Sequence, residues 1–180
     1  MYSIYIDNKQ TKTTIEKGKI KMTKTQRTAR KSTKAVIEIV RMTQHIMERP
    51  DLYEFPITST KVAGKFFQRE IGLDAQEVMI MVCLDTKSNI TAVHRVFTGS
   101  INSSVAHPRE IFRTAVMNNA SRIMVAHNHP SGNTEPSEAD KRFTQRLEAA
   151  GEIMGIELLD HIIVGPIEGT YTSLREEGVI

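Results

Sequence analysis

The chain has 180 residues, of which 39% are hydrophobic, with 24 lysines and arginines against 21 acidic residues and a single cysteine. This length suits one ordinary domain with an appendage, and the longest apolar run, Val78–Leu84, falls far short of the roughly 20 residues of a membrane helix. The first residues show no basic region followed by an apolar segment, so the sequence predicts a cytoplasmic protein without a signal peptide. One cysteine excludes internal disulfides and cysteine-rich zinc sites, so a bound metal would have to use histidines and carboxylates.

The basic charge is concentrated at the start of the chain. Residues 1–49 hold 12 lysines and arginines against 4 acidic residues, and only Glu16 opposes the ten basic residues between Lys9 and Lys34. Such a stretch cannot bury a core, and we predict a flexible basic arm over residues 8–31. A solvated tail is the simpler interpretation, because the arm lacks aromatic residues that stack on bases; weak non-specific contact with nucleic acid through residues 9–34 is the alternative.

Periodic apolar residues predict one amphipathic helix from Ser32 to Arg49, stopped by Pro50. We therefore divide the chain into residues 1–57, an arm plus this helix, and residues 58–180, a compact domain.

The compact domain alternates helices and strands without strict repetition. Helices are predicted from Thr60 to Gly72, from Pro108 to about Asn119 and from Ser137 to Gly151. Strands are predicted at Val78–Leu84, Ile90–Phe97, Ile123–Ala126, Ile156–Val164 and Thr170–Leu174. The fold class is α/β, or α+β, with a mixed sheet flanked by helices.

Three residues around the loop 128–136 have the types and spacing of metal ligands. His127 and His129 are two residues apart at the end of a strand, so both imidazoles can point the same way with Cα atoms about 6.5 Å apart. Asp140 follows in the first turn of the next helix. Two imidazoles and one carboxylate form the ligand set of a catalytic zinc site, whose fourth position holds the water used in amide hydrolysis.

Such a site also needs a general base and a donor for the developing oxyanion. Glu77, directly before the buried strand, is our candidate base, and Glu110 is its rival. Ser137 is the candidate oxyanion donor, although Ser137 and Asp140 also form the Ser-x-x-Asp pattern of a helix capping box.

The spacing resembles the signature of the JAB/MPN (JAMM) metalloprotease superfamily, an upstream Glu followed by His-x-His, seven residues, Ser, two residues and Asp. The closer resemblance is to the RadC-like branch, which has Asn between the histidines. Its further hallmarks match four segments of about residues 58–175: Gly99–Ser103, His107–Ile111, Ala126–Gly132 and Leu158–Gly165.

The resemblance implies a zinc-dependent metallopeptidase or isopeptidase acting on a peptide or isopeptide substrate. His127, His129 and Asp140 would hold Zn²⁺, Glu77 would be the base and Ser137 the oxyanion donor. We also expect His161 and Asn128 beside the ligands. The alternative is a nucleic-acid-binding module of the DNA-repair type with a structural or vestigial metal site, although residues 1–57 lack the helix-hairpin-helix pattern of longer RadC-like proteins.

Overall fold

The computed structural model describes residues 14–16, 19–21, 39, 41–52, 56–99 and 107–180. The chain divides into two compact units, Met1–Ile46 and Met47–Ile180. In the first unit, strands β1 (Thr14–Glu16) and β2 (Lys19–Lys21) pair as a short antiparallel hairpin.

A helix is predicted from Ser32 to Arg49. Of this range the structure describes residues 39 and 41–49, and they have no regular secondary structure. Ile39, Ile46 and Met47, which would line its apolar face, are 70%, 83% and 84% exposed. A short amphipathic helix is stabilised mainly by packing of that face, and these exposed side chains do not provide it. The other residues of this helix lie outside the described residues. Most of the arm predicted over residues 8–31 also lies outside the described residues. The six residues of the arm that are described form the β1–β2 hairpin.

The second unit contains all the elements predicted after residue 57. They are α1 (Thr60–Ile71), β3 (Val78–Leu84), β4 (Ile90–Thr98), α2 (Pro108–Met117), β5 (Arg122–Asn128), α3 (Glu138–Met154), β6 (Glu157–Val164) and β7 (Tyr171–Ser173). A 3-10 turn, Pro50–Leu52, precedes them. Within the described part of the chain, no helix combines the length and the apolar character needed to cross a bilayer.

The strands form one mixed sheet in the order β4-β3-β5-β6-β7. Only the β5–β6 pair is parallel, and α3 forms the connection between these two strands. The predicted α/β class with a mixed sheet is confirmed.

Two apolar cores lie on the two faces of the sheet. Alternate residues of β3 separate between them, with Ile80 packed in the core that contains α1 and Met81 in the core that contains α2 and α3. All seven residues of β3 are buried, because helices cover both faces of this strand.

The helix α3 is longer than the sequence predicts, because Gly151 does not end it. A side chain at Gly151 would place its Cβ 2.6 Å from the carbonyl oxygen of Ile156, so this glycine permits a close approach of the chain inside the helix. The helix ends instead at Gly155, which adopts the left-handed conformation with φ 66°. The helix α1 begins at Thr60 as predicted, and its N-cap is Ser59, whose side chain accepts from the amide of Val62.

Candidate metal centre

Two histidines at the carboxyl end of β5 face the start of α3. The pairing of β5 with β6 continues beyond the strand, since the His129 amide donates to the carbonyl of Val164 at 2.9 Å. The chain therefore stays extended through His129, and both imidazoles lie on the α3 face of the sheet. The loop then turns back at Gly132, with φ 85°, and delivers Asp140 in the first turn of α3.

The predicted ligand atoms converge. The Nε2 atoms of His127 and His129 are 3.0 Å apart, and Oδ1 of Asp140 lies 3.5 Å from Nε2 of His127. One ligand atom from each of the three residues lies within 4.8 Å of the others, so this group could hold a metal ion. Ligands about 2.1 Å from a tetrahedral zinc are about 3.4 Å from one another, and the two separations measured from Nε2 of His127, 3.0 and 3.5 Å, are close to that value.

A backbone carbonyl fixes the protonation of His129. Its Nδ1 lies 2.6 Å from the carbonyl oxygen of Asn133, which can only accept a hydrogen bond, so Nδ1 carries the proton. A ring protonated at Nδ1 alone presents the lone pair of Nε2 to the group. Sequence analysis did not identify Asn133, and no side-chain signal could have done so, because the contact uses its backbone.

The capping box at the start of α3 orients the carboxylate of Asp140. Its Oδ2 accepts hydrogen bonds from the Ser137 amide at 2.8 Å and from the Ser137 hydroxyl at 2.6 Å, while the Asp140 amide donates to the Ser137 hydroxyl at 3.2 Å. These contacts leave Oδ1 directed at His127. The capping interpretation is confirmed, and it serves the ligand geometry. The Ser137 hydroxyl donates its hydrogen bond to Asp140, so donation to an oxyanion requires the hydroxyl to change partner.

Burial keeps the innermost histidines neutral. His127 and His161 are both 0% exposed. Desolvation lowers the pKa of His127 to about 4, with a further lowering from His129 and an opposing effect of the Asp140 carboxylate. Desolvation also moves the pKa of His161 well below its usual range. A neutral imidazole is the form that binds a metal.

His161 and Asn128 lie next to His127, on opposite faces of the sheet. Nε2 of His161 on β6 is 2.8 Å from Nδ1 of His127. The buried Asn128 points to the other face, where its Oδ1 accepts from the Val78 amide at 2.7 Å and its Nδ2 donates to the carbonyls of Asp74 and Gln76 at 3.0 and 3.1 Å.

The two candidate bases have different surroundings. Glu77 is half-buried directly before β3, and continuing the register that pairs Met79 with His127 places it opposite His129. Glu110 instead forms ion pairs along α2 with Arg109 at 3.3 Å and Arg113 at 2.8 Å. The register favours Glu77 as the group beside the histidines.

Comparison with known proteins identifies this domain. The family model described as the RadC-like JAB domain matches residues 57–179. A UPF0758 protein of Enterococcus faecalis is 52% identical over 120 residues, which are 67% of this chain and 50% of that protein. A UPF0758 protein of Clostridium tetani is 39% identical over 145 residues, 81% of this chain and 63% of the relative. A UPF0758 protein of Methanosarcina barkeri is 37% identical over 146 residues, 81% of this chain and 62% of the relative. The chain thus spans about half to two thirds of the length of these curated relatives.

Proposed function

The chain belongs to the RadC-like JAB domain family, and from this premise we propose that it is a zinc-dependent hydrolase of amide bonds in a peptide or isopeptide. The observation that carries the proposal is the convergence of two imidazole nitrogens and one carboxylate oxygen within 4.8 Å at the carboxyl end of the central strand β5. Zinc supplies Lewis-acid activation of a carbonyl and lowers the pKa of water.

The surroundings of the three ligands support an open site. His127 is fully buried and Asp140 is 4% exposed, whereas His129 is half-buried and Ser137 is exposed. A substrate can therefore approach from the side of His129 and Ser137. A closed structural zinc site would need a fourth protein ligand, and within the described residues the group contains three.

The proposal assigns the proton transfers and the oxyanion contact to Glu77 and Ser137. Glu77 would take the proton of the attacking water and pass it to the leaving amine, since a general base is commonly a carboxylate at hydrogen-bonding reach of that water. Ser137 would donate its hydroxyl to the developing oxyanion, close to the N-terminus of α3, where the helix dipole favours negative charge.

The first test is the zinc content of the untagged protein, measured by elemental analysis. We expect about one equivalent in the wild type, loss of zinc in His129→Ala, and retention in the control His45→Ala, which removes an exposed imidazole outside the group. Wild-type protein without zinc, even after zinc is added back, would contradict the proposal.

The second test measures hydrolytic activity on panels of peptides and isopeptide-linked peptides. For any substrate that is cleaved, Glu77→Gln is expected to retain zinc and to lower kcat by about 10²–10⁴-fold, the range of a general base. Glu110→Gln is the matched control and should stay near the wild-type rate. The opposite ranking of these two variants would assign the base to Glu110.

A further inference from the structure

A buried threonine that the sequence analysis did not single out lies behind the metal centre. Thr144 is 0% exposed and follows Asp140 by one turn of α3. Its Oγ1 lies 2.7 Å from the backbone oxygen of Asp140 and 2.6 Å from Nδ1 of His161. His161 in turn contacts His127 at 2.8 Å, so three hydrogen bonds connect the backbone of Asp140 to the ring of His127.

The direction of these hydrogen bonds follows from their first partner. The carbonyl oxygen of Asp140 can only accept, so the hydroxyl of Thr144 donates to it. With its one proton used, Thr144 Oγ1 accepts from the Nδ1–H of His161. The neutral ring of His161 then presents a lone pair on Nε2, which accepts from the Nδ1–H of His127. His127 is left with the lone pair of Nε2 facing His129 and Asp140.

If these hydrogen bonds ran in the opposite direction, His127 could not bind a metal through Nε2. A proton on Nε2 of His161 would donate to Nδ1 of His127, and the neutral His127 would then carry its own proton on Nε2. That proton would take the place of the lone pair with which Nε2 of His127 binds a metal, and it would point at Nε2 of His129, 3.0 Å away. In that arrangement Thr144 would have to donate to His161 and give up its bond to the Asp140 carbonyl.

We propose that Thr144, acting through His161, is a positioning residue that selects the metal-binding tautomer of His127. The inference rests on the metal site of the proposed function, and it adds a residue that does not touch the metal. The carbonyl of Asp140 starts the hydrogen-bonded chain and the carboxylate of the same residue is a ligand. This series of hydrogen bonds therefore also couples the orientation of α3 to that of β5.

The test compares Thr144→Val with Thr144→Ser. Valine matches the shape of threonine but leaves the Nδ1–H of His161 without an acceptor in the metal-binding arrangement, whereas serine keeps the hydroxyl. We expect zinc affinity, measured by competition with a chromophoric chelator, to fall about 10–100-fold in Thr144→Val and to stay within about threefold in Thr144→Ser. Thermal unfolding of both zinc-free variants checks that they fold.

A measurement on the wild type keeps the proposal testable if Thr144→Val does not fold. Long-range ¹H–¹⁵N correlation spectra of the zinc-loaded protein should show His161 protonated at Nδ1 and not at Nε2. Protonation at Nε2 would overturn the proposal, and so would equal zinc affinity of Thr144→Val and wild type, with the metal site itself intact. Absence of zinc binding by the wild type would overturn both this inference and the proposed function.

Discussion

At the scale of single residues, Asn128 connects the ligand strand to the segment that carries Glu77. Its three hydrogen bonds reach the carbonyl of Gln76 and the amide of Val78, the peptide groups on both sides of Glu77, as well as the carbonyl of Asp74. One buried amide thus uses its oxygen as an acceptor and its nitrogen as a double donor. No other side chain type matches this pattern at the same length.

We therefore predict that Asn128→Asp destabilises the protein strongly. Aspartate keeps the acceptor for Val78 but places a second oxygen against two carbonyls about 3 Å away, without a counter-charge, which should cost about 3 kcal/mol or more. The measurement is the free energy of unfolding in urea, together with amide exchange at Val78, where protection should decrease.

Asn133→Asp is the matched control for this change. The exposed Asn133 uses its Oδ1 to accept from the amide of Glu135 at 3.0 Å, a bond that aspartate retains, so the expected cost is below about 0.5 kcal/mol. Equal effects of the two variants would show that the double donation of Asn128 contributes little.

The group of candidate ligands was predictable from sequence because its chemistry is expressed in residue types at short spacing. His127 and His129 share a strand, and Asp140 is separated from them by a loop, so local geometry is enough to bring them together. Thr144 and His161 were harder to connect, because their contact depends on how α3 packs against β6. The spacing of Asp140 and Thr144, one helical turn apart, was the available signal for Thr144.

At the scale of elements, α1 packs on β7 through a glycine. A Cβ added to Gly64 would lie 2.7, 2.8 and 2.9 Å from three ring atoms of Tyr171. Glycine inside a helix costs about 1 kcal/mol relative to alanine, so the close contact with the ring explains why a poor helix former occupies this position.

We predict that the effect of Gly64→Ala on the free energy of unfolding changes sign when Tyr171 is replaced by alanine. In the wild-type background, the overlap with Tyr171 should exceed the gain in helix propensity and destabilise the protein by about 1–2 kcal/mol. In a Tyr171→Ala background the overlap is gone, and the same substitution should stabilise by up to about 1 kcal/mol. Unfolding free energies of the four proteins in this double-mutant cycle give the coupling. Equal effects of Gly64→Ala in both backgrounds would show that the helix shifts freely.

The elements that sequence predicted well are those whose apolar pattern meets a partner in the second unit. The β3 run Val78–Leu84 is an example, since both of its faces are covered. The apolar residues of Ser32–Arg49 have helical spacing, yet the described residues up to Glu48 are exposed and residues 39 and 41–49 form no helix. Periodicity reports which residues could share a face, whereas the helix forms only where that face is buried.

At the scale of the whole molecule, the described core belongs to the second unit. Every described residue of the two apolar cores lies between Leu52 and Ile180. The segment just before Leu52 is also tied to this unit, because Arg49 makes a two-pronged contact with Glu70 at 3.0 and 3.1 Å and a further one with Asp51 at 2.8 Å. The boundary of the folding unit should therefore lie before Arg49.

Two truncated chains test this boundary. Residues 47–180 are expected to unfold cooperatively with a free energy within about 1 kcal/mol of the full chain, because the truncation keeps the described core and the Arg49–Glu70 pair. Residues 53–180 lose that pair, which leaves the 11%-exposed carboxylate of Glu70 without Arg49, and lose Leu52, which is 4% exposed. Removal of a buried leucine alone costs about 2–5 kcal/mol, so this shorter chain should unfold at a clearly lower urea concentration.

The comparison also separates the basic segment from the metal centre. Residues 47–180 retain His127, His129 and Asp140, so zinc stoichiometry should be unchanged, whereas any salt-sensitive binding of duplex DNA supplied by residues 9–34 should disappear. Loss of zinc in residues 47–180 would mean that the first unit supports the metal centre. Retained DNA binding would place the nucleic-acid contact on the RadC-like domain itself.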